Sequence, residues 1–448
     1  MTPTPAEYAL RVLLGGDGSK IATGASCIHY GQLRTAPKEA VIVIKPSGFF
    51  ERLETGGPQS PPTLPLKNIS GVPLLFGSPQ IEQKATATGI KRMVTSADIV
   101  ASTFFLLTRY EELARPDVRD EHGRFPGGES LPYKAGFLLR PVVDEYAALL
   151  RSWLEDVGVE TAESNAPMTV ALTHDVDYPY LYDNTEKALR ATWGYLLNDP
   201  QKILKPMATR LGLLKDPYDT FDWLMTTDGS LRRALGRDRV KSIYFMMACK
   251  FGPHDPHYNT AGKRLKHLMC RLRRSGATLG IHPSYAAGGD PARNLREEKK
   301  SLERAAGVAI SASRNHFLRW REPKDVKWIE KAGLTHDYTM GYADQTGFRL
   351  GICRPVRFYD ATEMRLTRVF VHPLSIMDVS LCRGRNMGLN FAEALEVCIN
   401  VVNQIAKHRG ELVLLWHNTG LTASVSEEEG YLRALYSEII NYLSKLFD

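Results

Sequence analysis

Short apolar runs alternate with amphipathic stretches from Met168 onward in the 448-residue chain, and this alternation predicts an α/β fold. Strand followed by helix, repeatedly, is the pattern of parallel strands joined by helical crossovers. Two further observations support it. The apolar runs end in ionisable residues, as in LTHDVD, GIHPS and LLWHN, and the polar stretch ETAESNAP interrupts the pattern between residues 1–160 and 165–448.

Residues 1–160 read as a smaller α/β domain. AVIVIKPSGFF is a β-branched run entering a turn, and GGPQSPPTLPLK is a Pro-rich loop. ADIVASTFFLLTRYEELARP predicts one long apolar helix closed by Pro116. RPVVDEYAALLRSWLEDVG predicts a second helix, with Val143, Ala147, Leu150 and Leu154 near helical spacing and Gly158 beyond its end. After the boundary, MTVALT and SIYFMMAC predict strands. GKRLKHLMCRLRRSG predicts a helix with Leu265, Leu268, Met269 and Leu272 on one face and Gly276 as its stop. ATLGIH is a strand, ARNLREEKKSLERAAG and FAEALEVCINVVNQIAKHRG are helices, and ELVLLWH is a strand. The pattern fits a barrel or an open α/β sheet, and in both the reactive groups collect at the C-terminal ends of strands.

Composition excludes several classes. An apolar share of 43% and a charged share of 24% are those of an ordinary globular chain rather than a disordered one. The net charge of +7, from 57 basic and 50 acidic residues, is spread along the chain, so no nucleic-acid partner is expected. The six cysteines form no CxxC pair and read as reduced thiols. No run of apolar residues is long enough to span a membrane, and MTPTPAEYALRVLLGG lacks the layout of a signal peptide; the expectation is a cytoplasmic protein without an integral membrane segment. Nothing in the sequence sets an oligomeric state.

The chemistry lies at the strand ends. Asp175 and Asp177, at i and i+2 just past an apolar run, can enter one cavity with different tasks, one on a metal and one free as a base. Asx turns at a strand end are the plainer reading of such a pair. His282 follows an apolar strand and can offer a neutral imidazole to a metal, although a histidine in that place is more often structural. His417 repeats the geometry and suits a general acid that protonates a departing amine. Arg314 and His316 alternate in SRNHFLRW and so share a strand face, with a solvated loop as the plainer reading. Arg349, Arg354 and Arg357 in GFRLGICRPVRFYD suggest recognition of an anionic substituent, or simply a basic surface loop.

LTHDVD, GIHPS, SRNHF, HDYTMGY and LLWHN follow the order and rough spacing of the five motifs of the polysaccharide deacetylases, the NodB-homology carbohydrate esterases of family 4. Residues 165–448 resemble that family. The region before them, with FFLLTRYEE, DEHGRF and GFLLRPVVDEYAALL, resembles the extra N-terminal domain of a divergent bacterial subset. The resemblance implies a distorted, TIM-like (β/α) barrel, a divalent metal with zinc the expected ion, and hydrolysis of N-acetyl groups from an N-acetylated sugar or glycan precursor. Carried over by motif, it makes Asp175 the base, Asp177 and His282 metal ligands, Arg314 the partner that holds Asp175 ionised, and His417 the general acid. It also makes Asp337 the acid that orients His417, though the aromatic usually beside this acid is not adjacent. Arg349, Tyr285 and Trp416 are the expected substrate contacts. The chain departs from the family at Ala286, where a second motif-two histidine is usual. His316 is the expected replacement ligand, with His254 or His257 of HDPHY as the alternative. Hydrolysis of other non-peptide C–N bonds on the same barrel, and a non-catalytic carbohydrate-binding protein, are the competing readings.

Overall fold

A computed structural model describes residues 2–19, 25–54, 61–85, 91–161, 166–248, 255, 258–285, 291–322, 324–382, 384, 386–422 and 430–446. Its contacts divide the chain into two compact units: Met1–Thr169 with Leu318–Ser375 and Asn400–Leu412, and Val170–Phe317 with Ile376–Ile399 and Val413–Asp448. The architecture is mixed α/β, as the alternation predicts.

The second unit is built on β1 (Thr169–Val176), β2 (Val240–Met246), β3 (Thr278–Ile281), β4 (Ala312–Ser313), β5 (Ile376–Met377) and β6 (Glu411–Leu415), in the order β4-β3-β2-β1-β6-β5. The pairs β1–β2, β2–β3, β3–β4 and β5–β6 are parallel, with Thr173 opposite Ile243 and Ile376 opposite Leu414. From Val170 to Val176, β1 is buried along its whole length, as a strand covered on both faces must be. Parallel register needs crossovers, and these are α1 (Thr185–Asn198), α2 (Lys205–Arg210), α3 (Phe221–Leu235), α4 (Lys263–Arg274), α5 (Pro291–Ala306), α6 (Asp378–Cys382) and α7 (Phe391–Lys407), while α8 (Leu432–Lys445) follows the last strand.

The helix predicted over 262–276 forms as α4. Its buried side chains are Leu265, Leu268, Met269 and Leu272, and Gly276 follows its end at φ +87°, a conformation that glycine adopts without steric cost. Each of these leucines contributes about 1.5–3 kcal/mol by leaving water. Because the strands are parallel, their C-terminal ends open at one edge of the sheet. The residues that emerge there are Asp175 and Asp177 from β1, His282 from β3, Arg314 and His316 from β4, Asp378 from β5 and His417 from β6.

The first unit carries a four-stranded sheet in the order Ile28–Tyr30, Ile42–Ile44, Lys91–Ala97, Gly77–Ala85; the first three are parallel and the last antiparallel. The helix expected over RPVVDEYAALLRSWLEDVG spans Val142–Asp156 and buries Val143, Ala147, Leu150 and Leu154. The single long helix expected to end at Pro116 is instead two, Ile99–Leu107 and Tyr110–Ala114, broken at Arg109 with φ +52°. The break has a packing reason that only the folded chain supplies: the buried Arg109 guanidinium lies 5.5 Å from the ring of Trp320 and 5.0 Å from that of Phe358. No helix among the described residues is long and apolar enough to cross a membrane.

Candidate metal and acid–base site

Along an extended strand successive side chains alternate in direction, so β1 sends His174 one way and Asp175 the other, with Asp177 continuing the second direction beyond its end. His174 is fully buried; its Nδ1 lies 3.1 Å from the Trp416 carbonyl oxygen and its Nε2 3.1 Å from Asp228, which also accepts from the Tyr436 hydroxyl. Asp175 meets Arg314, whose Nη1 donates to Oδ1 at 3.1 Å. Arg314 is itself wholly buried, with its guanidinium 4.7 Å from the ring of Phe245.

Three side chains converge next to this pair. Ligand atoms of Asp177, His282 and His316 all lie within 4.8 Å of one another. His282 Nε2 is 3.3 Å from Asp177 Oδ1 and 3.7 Å from Asp175 Oδ2, and His316 Nε2 is 3.8 Å from Asp177 Oδ2. Both imidazoles are fixed from behind. His282 Nδ1 lies 2.6 Å from the carbonyl oxygen of Arg314, which can only accept, so Nδ1 carries the proton and Nε2 turns its lone pair inward. His316 Nδ1 lies 2.9 Å from Asp255 Oδ1, which imposes the same tautomer. Phe317, directly after His316, has φ +61°, an uncommon value for a bulky residue; the chain turns sharply where this imidazole is set.

His417 closes the far side. Its backbone N–H donates to Asp378 Oδ2 at 2.7 Å and its Nδ1 lies 2.8 Å from Asp378 Oδ1, leaving Nε2 3.9 Å from Asp177 Oδ2. Burial alone would lower the pKa of this imidazole, but the Asp378 carboxylate, with Asp177 and Asp175 behind it, pushes it up to about 10. Burial likewise works against the charge on Asp177, yet the imidazoles of His282, His316 and His417 hold its carboxyl well below the usual range. His282 is raised, because Asp175 and Asp177 outweigh its desolvation.

The cluster fits a divalent ion. Asp177 Oδ1 is buried and accepts no hydrogen bond among the described residues, despite the imidazole beside it. One carboxylate oxygen and two imidazole nitrogens of fixed tautomer form a donor set that zinc and other borderline first-row ions accept.

A family model described as a family of unknown function, DUF7033, matches residues 16–158. No curated protein sequence matches the chain. Among solved structures, a Mycobacterium smegmatis protein whose designation as a polysaccharide deacetylase is provisional shares 14% identity at a TM-score of 0.37, covering 62% of this chain and 86% of its own. The Xyl-CE4 domain of a multidomain xylanase from the hindgut metagenome of Trinervitermes trinervoides shares 13% identity at 0.27, covering 62% and 84%. BA3943 of Bacillus anthracis, a CE4 family pseudoenzyme, shares 11% at 0.26, covering 63% of each chain. The site's own geometry, not these likenesses, carries the functional reading.

The structure thus brings together Asp175, Asp177, His282, Arg314, His316 and His417, and it places other expected residues elsewhere. The carboxylate on His417 is Asp378, not Asp337, which accepts from the backbone N–H and hydroxyl of Thr339. Asp378 follows a two-residue strand, too short for hydrophobic periodicity to reveal, although SIMD repeats the pattern of an acid after apolar residues. Asp255, behind His316, lies in HDPHY, where the sequence points to the flanking histidines and not to the acid between them. Arg349 is buried and forks onto Glu112, with Nε to Oε1 at 2.9 Å and Nη2 to Oε2 at 2.7 Å. Its guanidinium is tied into the packing of the first unit, and that partner stands 237 residues away in sequence. Arg354 pairs with Asp144 at 3.0 Å and Arg357 with Asp17 at 3.5 Å, so the arginines of this segment are matched by acids. Trp416 is fully buried with its ring 5.2 Å from that of Tyr436: a core residue, not an open platform. Tyr285 is partly exposed, donates its backbone N–H to Asp255 and sets its ring 5.5 Å from Phe317. Ala286, His254 and His257 lie outside the described residues.

Proposed function

We propose that this protein is a metal-dependent hydrolase that removes N-acetyl groups from an N-acetylated sugar or glycan precursor. The observation that carries the reading is the convergence of Asp177, His282 and His316 beside two separately held acid–base groups, Asp175 on Arg314 and His417 on Asp378. Amide hydrolysis requires a base for water and an acid for the departing amine. The resemblance of the five motifs to those of the polysaccharide deacetylases supports the same assignment.

Asp177, His282 and His316 would hold the ion, with zinc the expected one. When bound, such an ion supplies Lewis acidity to a carbonyl oxygen and makes water more acidic, with a pKa near ~7. Asp175, oriented by Arg314, accepts the proton of the attacking water. Asp378 accepts from Nδ1–H and its charge favours the doubly protonated ring, so Nε2 of His417 also carries a proton, and this one, facing the cavity, passes to the amine as the C–N bond breaks. Asp255 and the carbonyl of Arg314 hold the ligand imidazoles in the tautomer that presents Nε2.

The test is acetate release from a panel of N-acetylglucosamine-containing substrates, run with metal content measured on the same preparation. Acetate release that tracks metal occupancy is expected. His316→Ala should lower metal affinity at least tenfold and Asp255→Asn by about ten- to a hundredfold, the scale of a lost ligand-orienting contact. A metal-replete preparation that releases no acetate from any member of the panel would overturn the reading.

A further inference from the structure

The segment from Thr185 to Lys215 turns its apolar face outward. On α1, Leu189, Trp193, Leu196 and Leu197 occupy positions i, i+4, i+7 and i+8, the stripe that a surface helix normally buries. Here all four are exposed, Trp193 at 67% and Leu197 at 71%, while Ala188 is the buried residue of the helix. α1 packs along α2, and the chain on either side of α2 adds Leu204 at 77% and Leu213 at 76% exposure. Large apolar side chains gathered this way on a surface mark a place where something else sits.

The charge around them identifies the occupant. Residues 185–215 contain six basic side chains against two acidic ones, Glu186 and Asp199; Lys187, Arg190 and Lys202 are ion-paired with Asp183, Glu186 and Asp199, and the exposed Lys205 and Lys215 stand outside these pairs. A symmetric contact with a second copy would set this positive surface against itself. An anionic phospholipid surface complements it, with Trp and Leu entering the acyl boundary and the long basic side chains reaching up to the headgroups. We infer that α1 and α2 form a peripheral docking surface for anionic membranes. The same helix starts beside the candidate site: Lys187 Nζ lies 5.9 Å from the ring of Tyr178, the residue after Asp177. The inference rests on the exposed stripe and its charge, and stands whether or not the reaction proposed above is the right one.

Co-sedimentation of the full chain with sucrose-loaded vesicles tests it, comparing mixed phosphatidylglycerol–phosphatidylcholine with pure phosphatidylcholine. Binding to the mixed vesicles alone, weakening as salt rises, is expected. The double variant Trp193→Glu, Leu197→Glu should reduce it at least tenfold without lowering the thermal midpoint, because both side chains are solvent-exposed. Lys205→Ala and Lys215→Ala should each weaken binding roughly fivefold, the effect of one basic residue near an anionic surface; these milder variants keep the test open if the double variant fails to fold. Failure of the wild-type protein to sediment with the mixed vesicles overturns the proposal. So does a dimer in sedimentation velocity that the double variant dissociates, since the stripe would then be covered by a second copy.

Discussion

Asp175 and Asp177 are two residues apart and chemically alike, yet their surroundings give them different work. Arg314 occupies one oxygen of Asp175, whereas Asp177 faces three imidazoles. Asp175→Asn is therefore expected to retain the metal and lose hydrolysis by about two to four orders of magnitude, the worth of one acid–base group; near wild-type turnover with metal bound would remove Asp175 from the reaction. Asp378→Asn tests the other arm. A general acid must be protonated, so activity that depends on His417 is present below its pKa and lost as pH rises through it. Asp378 raises that pKa to about 10, and replacing its charge should move the alkaline limb of the rate–pH profile down by about one to three units. An unmoved limb would show that some other group sets it. Asp175, Asp177, His282 and His417 are legible at the ends of longer apolar runs, and Arg314 and His316 from their alternation in SRNHFLRW. Asp378 and Asp255 are not, because their roles come from what they face across space and not from a pattern along the chain.

Long elements carry a visible period and short ones do not; the two-residue β4 is expected only from the alternation around Arg314 and His316. β1, β2, β3 and β6 announce themselves as apolar runs, and α4 shows its stripe directly. β4 and β5 have two residues each, so no period can be seen in them. The helix broken at Arg109 was misread for a related reason: TFFLLTRYEEL carries an uninterrupted helical signal, and the break follows from where the guanidinium packs. α1 shows the limit of periodicity from the other side, since its stripe states that something covers it without saying what. For α4 the consequence is quantitative. Leu268 is fully buried, and Leu268→Ala should cost about 2–5 kcal/mol in denaturant unfolding, whereas Lys266→Ala on the exposed face should stay within about 0.5 kcal/mol. Equal effects from the two would mean that α4 does not pack as described.

At the scale of the whole molecule, stability should carry a term of unusual sign. Asp325 is almost wholly buried; desolvation outweighs its hydrogen bonds from Arg321 and raises its pKa to about 6. A carboxyl that binds its proton more tightly when folded makes the native state more stable at acid pH, and that contribution falls as pH rises from about 4 to about 6. Two units correspond to about 3 kcal/mol. Urea unfolding of wild type and Asp325→Asn across this range should differ in slope, with the acid-side gain absent from the variant; parallel curves would refute the assignment. The α/β class itself was plain from the alternation, because crossover topology leaves a mark on every segment. The grouping of Leu318–Ser375 and Asn400–Leu412 with the first unit leaves none, since it depends on contacts between distant stretches such as Arg349 and Glu112.

Arg314 touches the site twice, by its side chain to Asp175 and by its carbonyl to the back of His282. Asp175 and His282 therefore share one mechanical anchor, the residue that directly follows a two-residue strand. An engineer who grafted the six converging side chains onto another scaffold would obtain the composition of this site without its coordination between parts; the transplantable unit is the backbone of 312–316 together with the strand beside it.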